Sequence, residues 1–157
     1  MDRVDVLIVE DVDTKFNDVA GVVQSTFGDH AKIVRAKNLN DADDLVMSGD
    51  WSLLVLDLSM DIAASGSMDL GSGHATLAGL DVVDRLALMK IAIPTVIITG
   101  FDSFQDPDRF DNAIMGVEEV NALAINMLGA DYLGCVRYGH EDWKEILQSA
   151  ISRRRVS

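Results

Sequence analysis

Two acidic residues, Glu10 and Asp11, close the apolar run Val6-Leu7-Ile8-Val9, and a third, Asp57, closes Leu53-Leu54-Val55-Leu56. Another run, Pro94-Thr95-Val96-Ile97-Ile98, ends in Thr99. Continuous aliphatic runs of this length read as strands buried on both faces, as in a parallel sheet. In such a sheet the three ends lie side by side, so three carboxylates crowd one spot with a hydroxyl beside them. Clustered carboxylates repel, and a divalent cation or a proton relieves the repulsion. That is the donor set of a magnesium-assisted phosphoryl acceptor.

The elements that must hold these residues alternate along the chain. Asp5–Val9 reads as a strand. Asp13 is a plausible N-cap for the next segment and Gly28 its stop, with Phe16, Val19, Ala20, Val23 and Phe27 between them at helical spacing. Ala31–Ala36 is a weaker strand, Asn40–Met47 a short helix closed by Ser48-Gly49, and Ser52–Leu56 a third strand. Leu80–Lys90 is helical, with Leu80, Val83, Leu86 and Leu88 inward. Pro94–Ile98, the helix Val117–Leu128, Tyr132–Val136 and the helix Glu141–Ser152 complete the series, the last with Trp143, Ile146, Leu147, Ala150 and Ile151 on one face. Five strands and five helices in alternation imply an α/β fold, a doubly wound five-stranded parallel sheet of the flavodoxin-like type. In that strand order the ends of strands one and three flank the switch point where ligands bind.

Two stretches are longer than the roughly 2–6 residues such connections usually need. Ser59–Gly79 is rich in Gly, Ser, Ala and Met, whereas Phe101–Gly116 carries Asp102, Asp106, Asp108 and Asp111. The stretches at about 60–78 and 101–116 read as insertions in one domain spanning 1–157. Both leave the carboxylate edge, as surface insertions or as a lid or partner surface.

The chain has 157 residues, 48% of them apolar, enough for one domain with a real core. Its formal net charge is −13, from 26 acidic and 13 basic residues, which disfavours nucleic acid and anionic membranes as partners. Arg153-Arg154-Arg155 suits a helix C-terminus. No apolar stretch approaches the roughly 18 residues of a membrane span, and no secretory signal is visible. A single cysteine fits a reducing cytoplasm.

Five segments in order resemble a bacterial response-regulator receiver domain: Val6–Asp11, Leu53–Met60, Gly79-Leu80-Asp81, Ile93–Gly100 and Gly129–Leu133. The resemblance implies a CheY-like fold in which Asp57 accepts a phosphoryl group from a sensor histidine kinase or phosphotransfer protein. By the same resemblance Glu10, Asp11, Asp57 and the backbone carbonyl of Ser59 hold Mg²⁺. Thr99 then hydrogen-bonds the phosphoryl oxygen, and Tyr132 is the aromatic that switches rotamer. A downstream partner would dock on about 117–151. The expected activity is signalling, with self-phosphorylation and dephosphorylation at most.

One position departs from the family. A lysine three residues after the aromatic normally pairs with the acceptor aspartate, and here that position is Cys135. A charge-assisted hydrogen bond of this kind contributes about 1.5–3 kcal/mol. Arg137, two residues on and on the same strand face, is a candidate replacement with different geometry. Cys135 itself reads as a small buried hydrophobe rather than a reactive thiol. The departure and the two long stretches leave a second reading, a pseudo-receiver interaction module with a lost or rewired phosphorylation switch. A third is a metal-dependent phosphatase using Asp11 and Asp13, which leaves Asp57 unexplained.

Overall fold

The computed structural model describes residues 3–58, 78–105 and 114–153. Ser59, Met60, Asp106, Asp108, Asp111, Arg154 and Arg155, singled out in the sequence, lie outside these residues.

Five strands form one parallel sheet: β1 (Val4–Val9), β2 (Ala31–Ala36), β3 (Leu53–Asp57), β4 (Thr95–Thr99) and, last in the chain, β7 (Tyr132–Arg137), in the order β2-β1-β3-β4-β7. Every residue of β3 and β4 is buried, as their uninterrupted apolar sequences require. The five α-helices are α1 (Asp13–Phe27), α2 (Leu39–Ser48), α3 (Leu80–Met89), α4 (Val117–Leu128) and α5 (Trp143–Ser152).

Alternate residues of each strand point to opposite sides, so the sheet divides the core in two. Leu7, Val9, Leu54, Leu56 and Ile97 pack with α2, α3 and α4. Val6, Ile8, Val55, Val96 and Ile98 pack with Val19, Val23 and Phe27 of α1 and Trp143, Leu147 and Ile151 of α5. Two helices on one face and three on the other complete the doubly wound fold expected from the alternation.

Several local expectations are corrected. Val12, not Asp13, is the N-cap of α1, and it makes no side-chain cap bond. Asp13 instead pairs with Arg35 Nη1 at 2.8 Å. Arg35 also donates from Nε to the Glu10 carbonyl (3.0 Å), so β2 fastens the turn in which β1 becomes α1. Ser52 stays outside β3 and accepts from the Asp5 backbone N–H through its hydroxyl (3.3 Å). Leu88 is 80% exposed and Val82 takes the inward place, because α3 turns its 82–83–86 face to the sheet. Ile146 is likewise exposed, and α5 begins at Trp143 rather than Glu141. The loop after β4 breaks the alternation with an antiparallel hairpin, β5 (Ser103–Gln105) with β6 (Ile114–Gly116). Phe104 of that hairpin is fully buried in the α2–α3–α4 side of the core, so this end of the insertion is part of the folded body. Gly28 stops α1 as expected, with φ +60°.

No helix among the described residues is long and apolar enough to cross a membrane.

Candidate phosphoryl-acceptor site

Strands β1 and β3 are direct neighbours, with Val9 opposite Leu56. The residues that follow, Glu10-Asp11 and Asp57, therefore emerge together at the switch point of the sheet. One carboxylate oxygen from each of Glu10, Asp11 and Asp57 lies within 4.8 Å of the others. Glu10 and Asp57 are buried, at 1% and 5% exposure, while Asp11 is partly open to solvent. This geometry suits a divalent cation with oxygen ligands and retained waters.

A cation of the chain itself already stands among them. Lys15, on the first turn of α1, is 7% exposed. Its Nζ lies 2.9 Å from Glu10 Oε1 and 3.3 Å from Asp57 Oδ1. On its other side is the ring of Tyr138, 5.5 Å from Nζ to centroid. Tyr138 is held in turn: its N–H donates to the Thr99 carbonyl (2.8 Å), its hydroxyl to Asp18 Oδ2 (2.7 Å), and its ring meets Trp143 edge-on at 4.9 Å. Lys15 thus sits between a carboxylate pair and an aromatic face, an arrangement that suits an ammonium.

The electrostatics agree. Burial, and then the charge of Asp57, raise the Glu10 carboxyl above its ordinary value. Lys15 and the Val12 N–H, 3.1 Å from Oε2, pull it back. Breaking a buried pair of this kind by removing one partner typically costs about 3–5 kcal/mol.

Sequence reasoning missed Lys15. A signal was present: it is the only basic residue of α1 and stands in the first turn, where the macrodipole disfavours cations. A lysine retained there needs an anion nearby.

Thr99 ends β4 fully buried, and its Oγ1 accepts from the Phe101 N–H (3.2 Å). Tyr132 begins β7, half-buried against the α2–α3–α4 core, and its hydroxyl donates to Asn121 Oδ1 of α4 (2.7 Å). Burial raises that phenol well above its usual range. Cys135 lies opposite Ile97, below the sheet edge, after a register shift near Gly134, whose φ is +133°. Its half-buried thiol packs on the same apolar cluster, and burial pushes it up to about 12. It is a small hydrophobe, as its strand position indicated. Arg137 is the residue level with Thr99, but its guanidinium pairs with Asp102 of the following loop rather than with the carboxylates. Asp13, the second carboxylate of the phosphatase reading, is exposed and lies outside the acidic cluster.

No family model matches the chain, and no curated protein does. Solved structures do. The non-phosphorylated HemR receiver domain from Leptospira biflexa aligns over 99% of both chains, at 17% identity and a TM-score of 0.60. The Francisella response regulator 1452 receiver domain aligns over 98% of this chain and all of its own, at 15% identity and 0.55. The receiver domain of a putative Luxo repressor protein from Vibrio parahaemolyticus covers 97% and 92%, at 18% and 0.61.

The fold is that of a response-regulator receiver domain. The five-stranded parallel sheet with helices on both faces is consistent with that fold.

Proposed function

We propose that this chain is a two-component signalling receiver, a single domain in which Asp57 accepts a phosphoryl group in a Mg²⁺-dependent reaction. The observation that carries the reading is the convergence of Glu10, Asp11 and Asp57 at the end of two adjacent parallel strands. In the reaction an Asp57 carboxylate oxygen attacks the donor phosphorus. The bond from phosphorus to the donor nitrogen or oxygen breaks, its electron pair leaves with the donor, and an acyl phosphate remains. Glu10, Asp11, Asp57 and the backbone carbonyl of Ser59 would hold Mg²⁺, which supplies charge neutralisation for the transferring group. Thr99, buried at the end of β4, is the hydroxyl that would meet a phosphoryl oxygen, and Tyr132 is the ring that would respond. The donor would be a sensor histidine kinase or phosphotransfer protein in the cytoplasm. Output would pass by contact through about 117–151, without DNA or membrane binding by this domain.

The test is intact mass after treatment with a small phosphodonor and Mg²⁺. Wild type gains one phosphoryl group and Asp57→Asn gains none; no gain in either overturns the proposal. A pseudo-receiver is the second reading, favoured by the apolar setting of Cys135 and by a lysine already seated between Glu10 and Asp57. It expects a partner to bind equally well to wild type and Asp57→Ala.

A further inference from the structure

We propose that Lys15 is the resident cation of the acidic site: it takes the charge-balancing place left open at Cys135, and Mg²⁺ binds by displacing it from Glu10. The inference rests on the magnesium reading above. It concerns a residue on a different element, α1, from the strand β7 that carries Cys135.

Three observations support it. The first is position: the ammonium is 2.9 Å from Glu10 and 3.3 Å from Asp57, two of the three carboxylates that would hold a metal. A divalent ion ligated by those oxygens and an ammonium in contact with them would lie only a few ångströms apart. Repulsion at such a separation is strong at a buried site. The second is burial. Lys15 is 7% exposed, and a desolvated lysine is tolerated only where anions compensate it. The third is the alternative place the side chain has. The Tyr138 ring lies along Lys15, anchored to Thr99 through its backbone and to Asp18 through its hydroxyl. A flexible four-carbon stem can swing its ammonium along that face without leaving an aromatic partner.

Among the described residues, the other cations near this edge do not fill the role. Arg35 is engaged by Asp13 and the Glu10 carbonyl, and Arg137 by Asp102. Position 135 lies among apolar side chains. Lys15 is a positioning residue for the metal and acceptor carboxylates, acting through the charge it places on them.

The experiment compares wild type, Lys15→Met, Lys15→Arg and Glu10→Gln, alone and with Lys15→Met, as full chains. Mg²⁺ binding is measured by calorimetry, and urea unfolding is followed in metal-free buffer. Lys15→Met should bind Mg²⁺ at least about tenfold more tightly than wild type, a shift of about 1.4 kcal/mol. Lys15→Arg should bind like wild type. In metal-free buffer Lys15→Met should lower the urea midpoint, and by much less in the Glu10→Gln background, where one carboxylate charge is gone. If Lys15→Met alone does not fold, Lys15→Gln, which removes the same charge and keeps Glu10 as a ligand, carries the affinity comparison. Equal Mg²⁺ affinity with and without Lys15 overturns the displacement and leaves the magnesium reading standing. An undiminished midpoint loss in the Glu10→Gln background overturns the charge-balancing role. No Mg²⁺ binding by any of these proteins overturns the magnesium reading and the displacement together, while the urea comparison still decides the charge balance.

Discussion

A lysine placed at position 135 would not restore the site's cation. Cys135 packs on the apolar side of the sheet opposite Ile97, two residue levels below Thr99, and the ammonium position between Glu10 and Asp57 is already held by Lys15. A second lysine there would bring a charge into an apolar setting and face a like charge beyond it. Cys135→Lys should therefore destabilise the protein by about 2–3 kcal/mol, whereas Cys135→Ala costs about 1 kcal/mol; urea midpoints measure both. Equal stability of the lysine variant and wild type would show that its ammonium has found an anion. The same burial, which pushes the thiol up to about 12, makes its reaction with a disulfide reagent at neutral pH slow until the protein unfolds. The acidic side chains were legible in the sequence because strand ends announce where side chains emerge. Lys15 was not, because its meaning depends on how α1 leaves the turn. That exit is set by Arg35 on β2, which binds both the Glu10 carbonyl and Asp13, a contact across 25 and 22 positions that no local pattern contains.

At the scale of elements, the acceptor strand and the helix after it are joined at one very close approach. The Gly79 N–H donates to the Leu58 carbonyl (2.7 Å), and a Cβ at Gly79 would lie 2.5 Å from the Asp57 carbonyl oxygen and 2.7 Å from Leu58 Cα. Both neighbours are backbone, so no side-chain rotation can relieve the clash. Gly79→Ala must push α3 away from β3 or shift the end of β3 itself. The expected cost is about 1–3 kcal/mol, with backbone amide shifts concentrated at Asp57 and Leu58 in an NMR spectrum. Shifts confined to α3, with Asp57 unmoved, would place the give entirely in the helix. Gly79 stood in the sequence as a helix boundary, and its role as the contact between two elements separated by a long insertion was not visible there. Other elements were legible for a plainer reason: α4 matches its sequence boundaries because Gly116 and Gly129 flank it, and β2 matches its own although, at the sheet edge, it is only partly buried. The departures fall on amphipathic detail. Leu88 and Ile146 satisfy a helical period yet face solvent, since the period fixes a stripe and the sheet selects its centre. The hairpin β5–β6 escaped notice because its strands are three residues each and its anchor is one phenylalanine, Phe104.

Over the whole molecule, the fold gathers negative charge where it also excludes water, and this makes stability depend on pH in a definite direction. The chain carries a formal net charge of −13. Within it Glu10 is raised above the 4.5 of an ordinary glutamate, chiefly by burial and then by Asp57, and Asp43 on α2 is raised above 3.8, chiefly by burial. A carboxyl with a raised value in the folded state holds its proton more tightly folded than unfolded. Its contribution to stability is therefore complete below the unfolded value and is lost as pH rises through the folded one. The metal-free protein should accordingly lose stability as pH climbs from about 4.5 toward neutrality, in the direction set by those two groups. Self-repulsion of the ionising surface acts in the same sense, and salt screens that part while leaving the buried part largely intact. Glu10→Gln separates the two: it removes the buried group, so the fall in thermal midpoint with pH should flatten, and the flattening should persist at high salt. A midpoint that rises with pH across this range in wild type, or an unchanged slope in Glu10→Gln, would mean that Lys15 outweighs burial and Asp57 at Glu10.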